Sequence, residues 1–300
     1  MKQKIFIKLL EIISKIANKA IIYFEKNEYN AFGMTAVKSS LGFWYVGNVF
    51  DYADMAYSIS NNGVVEKEET NLVVRIINKM LEQDALLGFY DIGANTGYYG
   101  ILAGWLGRER VRAYSFEPLH EHVNCLEETI VLNRLESTVF PYEVALSDTN
   151  ALGKIATAGT GSSLELDFLD DINVPQREIE LKKLDDFAKE KIMIAPDFMK
   201  IDVEGHELKV LNGAAGLIVA SLPVVFIEIA YSLKSIGRGY INNNYIDTFS
   251  FFEKIGYMPF LATGDRVIAY DFKKPIDGIQ MFLFIHPIKH NYIFELLNIK

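Results

Sequence analysis

Apolar residues fall along the chain at two spacings, and the changes between them divide it into elements. Near the start Ile5, Phe6, Leu9, Leu10, Ile12, Ile13, Ile16, Ala20 and Phe24 recur at helical intervals, with Lys2, Lys4, Lys8, Lys15 and Lys19 among them. That pattern predicts a basic amphipathic helix over residues 1–24, and it loses definition around residues 27–62. From residue 85 onward short apolar runs alternate with helix-spaced stretches. Strands are expected at residues 86–90, 111–116, 139–145, 198–201 and 224–229. Helices are expected after residue 98, over 118–135, over 208–220 and over 248–254, with closing strands at 257–261, 266–270 and 281–285. Residues 151–183 read as a polar excursion with short strands. The alternation implies an α/β fold with a doubly wound, mostly parallel sheet and helices on both faces. It divides the chain into an N-terminal helical segment, residues 1–80, and one domain, residues 81–300.

The junction of the first strand and its helix carries the strongest chemical signal. Asp91-Ile92-Gly93-Ala94-Asn95-Thr96-Gly97 places an acid and two glycines where the apolar run becomes amphipathic. Glycine there permits positive φ and close approach of a ligand to the backbone. About twenty residues on, the second apolar run ends in Glu117 before Pro118, and a carboxylate at that position can accept ribose hydroxyls. The spacing excludes a P-loop, which needs one more residue and a lysine, and it departs from the G-x-G-x-x-G of dinucleotide sites. S-adenosylmethionine has no phosphates to cradle and fits the turn better. Tyr98 and Tyr99 could face its sulfonium by cation–π attraction, or could simply pack a helix.

Composition narrows the class. Half of the 300 residues are hydrophobic, enough for a large core. The net charge of −9 argues against a nucleic-acid partner, and the single cysteine, Cys125, rules out an intrachain disulfide. The lysines in residues 1–24 interrupt any membrane-spanning run, and the segment lacks the layout of a signal peptide. It is expected to contact its own domain, a second copy of the chain, or anionic lipid at the inner face of the membrane, with the protein itself cytoplasmic.

A second constellation follows the strand at 198–201, where Asp202, Glu204, His206 and Glu207 fall within six residues. Ligands of doubly wound folds sit beyond the carboxyl ends of the strands, which brings these groups to the mouth of the glycine turn. Capping of the next helix is the plainer reading of the glutamates. As chemistry, His206 is the first candidate for a general base because an imidazole titrates near neutrality, Asp202 is the second, and Glu204 follows. Asp202, Glu204, His206, Glu207 and Glu228 could together make an oxygen-rich Mg²⁺ site, but sequence does not show that they converge, and no metal is expected. Tyr231, Tyr240, Asn242, Asn243, Asn244 and Tyr245 form a polar aromatic stretch suited to a sugar.

Taken with 144–148 (Val144-Ala145-Leu146-Ser147-Asp148), 184–187 and Val210-Leu211-Asn212-Gly213, these motifs stand in the order seen in FkbM-type methyltransferases, which residues 85–230 resemble. The resemblance implies a seven-strand class I methyltransferase sheet of Rossmann-like type, S-adenosyl-L-methionine as donor, and O-methylation of a hydroxyl on a sugar, glycan or related natural product. It implies that Asp91, Gly93, Asn95 and Gly97 shape the methionine pocket, that Glu117 holds the ribose, that Ala145, Leu146 and Ser147 form the adenine wall, and that Asp202 borders the reacting methyl group. Gly100 and Leu119-His120 depart from the family pattern. Two other functions stand beside it: a non-catalytic cofactor- or glycan-binding module, and an NAD-dependent sugar oxidoreductase.

Overall fold

A computed structural model describes residues 35–157, 162–165, 168, 174–264 and 266–299. The amphipathic stretch expected over residues 1–24 lies outside them. In chain order the elements are β1 (Thr35–Lys38), β2 (Trp44–Gly47), α1 (Met55–Asn62), α2 (Lys67–Gln83), β3 (Leu87–Ile92), α3 (Tyr98–Gly107), β4 (Val111–Glu117), α4 (His120–Asn133), β5 (Val139–Glu143), β6 (Ala145–Leu146), β7 (Ala151–Ala156) and β8 (Gln176–Lys182). They continue with α5 (Leu184–Glu190), β9 (Phe198–Ile201), α6 (Glu207–Gly213), α7 (Ala215–Ser221), β10 (Val224–Ala230), α8 (Tyr245–Lys254), β11 (Met258–Thr263), β12 (Arg266–Ala269), β13 (Ile279–Ile285) and α9 (Asn291–Leu297).

The central sheet runs β12-β11-β13-β10-β9-β3-β4-β5. Its core, β10-β9-β3-β4-β5, is parallel, and β13 enters antiparallel between β10 and β11. Every residue of β3 and β9 is buried, as expected of strands covered on both faces. Successive side chains then feed opposite layers. Leu87, Phe89, Phe198 and Phe226 pack into one cluster with α2 and α3, while Tyr90, Ile92, Met199, Ile201 and Ile227 pack into the other with α6 and α8.

The doubly wound sheet is present, with eight strands instead of the seven that the family resemblance implies. The additional edge strand, β12, pairs only with β11 in the sheet order, and Gly264, at φ 60°, lies between the two. The expected strand 139–145 divides at Val144: β5 joins the main sheet, while β6 turns away to a three-stranded sheet of order β6-β8-β7. The expected helix 208–220 is broken at Ala214. Asp185 of α5 caps the second piece by accepting the amides of Gly216 and Leu217 at 2.8 Å each, a distant contact that local periodicity does not encode.

Residues 35–83 are built into the same core. The β1–β2 hairpin docks on α4 through Asn133, whose amide group accepts from the Trp44 N–H and donates to the Trp44 carbonyl, both at 2.7 Å. Thr129 adds a bond from the Val46 N–H at 3.0 Å. Tyr45 then meets Tyr98 edge-on, and Phe43 packs on it at a tilt.

Candidate functional site

Two turns at the carboxyl ends of adjacent parallel strands face each other. After β3, the Gly93 and Ala94 amides donate to the Phe116 carbonyl at 3.0 Å each, which ties the turn to β4. Gly93 has φ 73°, and a Cβ there would stand 1.8 Å from the carbonyl oxygen of Asp202. The second turn, after β9, therefore rests against glycine backbone. Asp91 lies beneath, accepting the Gly100 amide at 2.8 Å. Burial pushes its carboxyl up to about 7 against the pull of that amide. Gly100 is demanded by the packing, since a Cβ would come within 2.2 Å of the Ser115 hydroxyl; the departure from the family pattern at this position has a local cause.

A cavity of about 300 Å³ opens between the turns. Among the residues expected to bind the cofactor, Gly93, Asn95, Glu117, Ala145, Leu146 and Asp202 line it; Asp91, Gly97 and Ser147 stand behind. Gly97 allows α3 to start against Leu126, which a Cβ would meet at 2.2 Å. Glu117, 6% exposed, accepts the Asn95 amide on Oε2 at 2.9 Å and the Leu119 amide on Oε1 at 3.1 Å. His122 approaches the same Oε1 through Nδ1 at 3.2 Å.

The other end of the cavity is acidic. Asp202, Glu204 and Glu228 line it, with one oxygen of each within 4.8 Å of the others. Buried Lys200 donates to Asp202 Oδ2 at 3.0 Å; burial opposes its charge, but Asp202, Glu66 and Glu228 outweigh that and raise its pKa. Burial, then Asp202 and Glu207, pushes the Glu204 carboxyl up to about 8. Glu228 is raised by burial and by the same neighbours, Asp202 and Glu204. Glu204 itself has φ 51°, and its carbonyl accepts the Ser163 hydroxyl at 2.6 Å.

His206 is elsewhere. It is 4% exposed and absent from the cavity wall. Its Nε2 pairs with the Ser147 hydroxyl at 2.9 Å and its Nδ1 with Glu165 at 2.7 Å. That bond, together with one from Lys209, holds the Glu165 carboxyl down at about 2. Both ring nitrogens are thus engaged in bracing the turn, which removes the geometric basis for His206 as the first candidate base.

The tyrosines and the 231–245 stretch also take structural positions. Tyr98 and Tyr99 are buried outside the lining, and the Tyr99 hydroxyl donates to Glu66 at 2.7 Å; helix packing is their role, and a sulfonium contact is not. Tyr240, Asn242 and Tyr245 are buried. Asn242 donates to the Ala230 carbonyl at 3.0 Å and accepts the Asn244 amide at 2.9 Å, and none of the stretch lines the cavity. The wall that sequence reasoning missed comes from the segment before β3: Tyr52, Ala53, Asp54, Met55, Ser58 and Glu66 roof the cavity. Tyr52 is 86% exposed, so it stands at the mouth. No signal in the sequence marks these residues, because contact across the sheet brings them there.

The donor set tests which cofactor fits. The described lining contains Asp54, Glu66, Glu117, Asp202, Glu204 and Glu228 and neither lysine nor arginine. A pyrophosphate calls for cationic or amide donors, whereas a sulfonium is stabilised by carboxylates. Among the described residues no helix is long and apolar enough to cross a membrane.

The chain is similar to several known proteins. The hexuronic acid methyltransferase AglP of Haloferax volcanii is 25% identical over 170 residues, which make up 52% of this chain; the chain spans 61% of that relative's length. The crystal structure of methyltransferase FkbM from Methylobacillus flagellatus KT is 18% identical, with a TM-score of 0.44 over 67% of this chain and 44% of that one. An O-methyltransferase from Bacillus cereus, solved in complex with SAH, is 14% identical with a TM-score of 0.41, covering 79% of this chain and 87% of its own. The methyltransferase FkbM domain model matches residues 91–258, more than half of the chain, and the protein belongs to that family.

Proposed function

We propose that this protein is an S-adenosylmethionine-dependent O-methyltransferase whose acceptor is a hydroxyl of a sugar or glycan. The observation that carries the reading is the cavity lining: the buried carboxylate of Glu117 at the adenosine end, a carboxylate cluster at the other, and neither lysine nor arginine on the described wall. The bound cofactor supplies an activated methyl group. Glu117 takes the ribose, Gly93 and Asn95 bring backbone to the methionine portion, and Ala145 and Leu146 flank the adenine. Asp202, fixed by Lys200, borders the methyl group.

Transfer to a sugar hydroxyl needs its proton removed as the bond forms, and a positioned base is worth about 10²–10⁴-fold. Glu204 is the base in this reading, since it lines the cavity and its carboxyl is pushed up to about 8. Asp202 and Glu228 hold its charge in check, and His206 braces the turn that carries it. Tyr52 at the mouth offers an aromatic face to the acceptor. A hydroxyl acceptor is also in keeping with the likeness to the hexuronic acid methyltransferase.

Two measurements test the reading. Calorimetric titration with S-adenosylmethionine, NAD and ATP should give binding of the first alone; binding of NAD alone would favour the oxidoreductase. Mass spectrometry of cell-surface sugars with and without the protein should show a methyl group gained on one class of glycan. A methylated amine or carboxyl in place of a hydroxyl would overturn the O-methyl assignment.

A further inference from the structure

Glu117 has fewer open places than a ribose requires. A carboxylate offers about four acceptor positions, two on each oxygen. On Oε1, one is taken by the Leu119 amide and the other by His122; on Oε2, one is taken by the Asn95 amide. The two adjacent hydroxyls of a ribose straddling the carboxylate need one place on each oxygen, and only Oε2 has one free. The Leu119 and Asn95 donors are backbone and fixed by their turns. His122 makes the longest of the three contacts, at 3.2 Å. Its half-buried side chain lines the cavity.

We propose that His122 is a positioning residue of the cofactor site, occupying the second ribose place on Glu117 in the empty protein and yielding it as the cofactor enters. The inference rests on the assignment of Glu117 to the ribose made above. Burial opposes the imidazolium, but Glu117, then Glu121 of the same helix and Asp54 of the roof, outweigh it and raise the pKa of His122. When His122 leaves Oε1 the strongest of those supports is lost and burial is less opposed. The imidazole then gives up its proton to solvent. Binding that releases a proton grows tighter as pH rises through the group's range and levels off above it.

The test is calorimetric titration of the full chain with S-adenosylmethionine and with S-adenosylhomocysteine from about pH 6 to about pH 8, in buffers of different ionisation enthalpy. Wild-type protein should release a fraction of a proton on binding and gain about three- to tenfold in affinity across the range. His122→Gln, which still donates but does not titrate, should lose that release and flatten the profile. His122→Leu, which vacates Oε1, should bind at the acid end more tightly than wild type. Asp91, Glu204, Glu207 and the ligand's own amino group titrate alike in all three proteins, so the difference between them isolates His122. Coincident profiles and equal proton release in wild type and His122→Gln would overturn the inference while leaving the cofactor assignment in place. Failure of both ligands to bind the wild type at any pH would overturn that assignment and this inference with it. Thermal unfolding identifies a variant that has lost its fold, and the two substitutions answer the question independently.

Discussion

The turn after β3 and the turn after β9 meet at Gly93 yet are built on opposite plans. In the first, each carboxylate is tied to backbone: Asp91 to the Gly100 amide, Glu117 to the amides of Asn95 and Leu119. Around the second, Asp202 and Glu204 crowd together with Glu228 of β10 and share the buried Lys200. Burial shifts a carboxylate on either side, Asp91 included; what differs is that backbone amides fix the first pair in place, whereas the second group has like charges for neighbours. The first turn is suited to holding a ligand in one orientation, and the second to exchanging a proton with it.

The contact between the turns is the place to break that division first. Gly93→Ala forces a Cβ to within 1.8 Å of the Asp202 carbonyl and is strained at positive φ. It should cost several kcal/mol, about 3 or more, and abolish cofactor binding; thermal unfolding and calorimetry read both losses together. Next in size, Asp202→Asn takes from buried Lys200 the one carboxylate hydrogen-bonded to it among the described residues. Turnover should fall by about 10²-fold or more, and stability should fall with it by about 3 kcal/mol; rates of labelled methyl transfer and denaturant unfolding separate the two.

Glu204→Gln acts on proton exchange alone. The wild-type rate should rise with pH toward about 8 as the carboxyl ionises, and the variant should lose that limb while its cofactor affinity changes little. The smallest effect is expected at His206→Gln. Because it braces the turn from behind, the alkaline limb should persist and turnover should drop by less than about tenfold. Loss of the limb in this variant would return the base role to the histidine.

What could be read in advance followed from how local each feature is. The strand, the glycine spacing and Glu117 lie within one short unit, and periodicity with turn chemistry suffices to find them. Asp202 and Glu204 were legible for a related reason, since they follow directly on a buried strand. His206 misled because its intrinsic proton affinity says nothing of Ser147 and Glu165, which come from remote loops and take both ring nitrogens. Tyr240, Asn242 and Tyr245 misled similarly: polar and aromatic residues in a loop can as well stitch it to the body as face a sugar. The roof of Tyr52, Asp54 and Glu66 left no trace at all in the pattern, for it is assembled by the docking of β2 on α4.

That docking has a bearing on where this protein can be cut. The match to the family begins at Asp91, and an expression fragment drawn to that line would leave out the hairpin that Asn133 and Thr129 grip. Such a fragment would present the vacated seats of Phe43 and Tyr45 to water and carry a ligand site without its roof. For protein engineering, the hairpin and α4 should be moved as one piece.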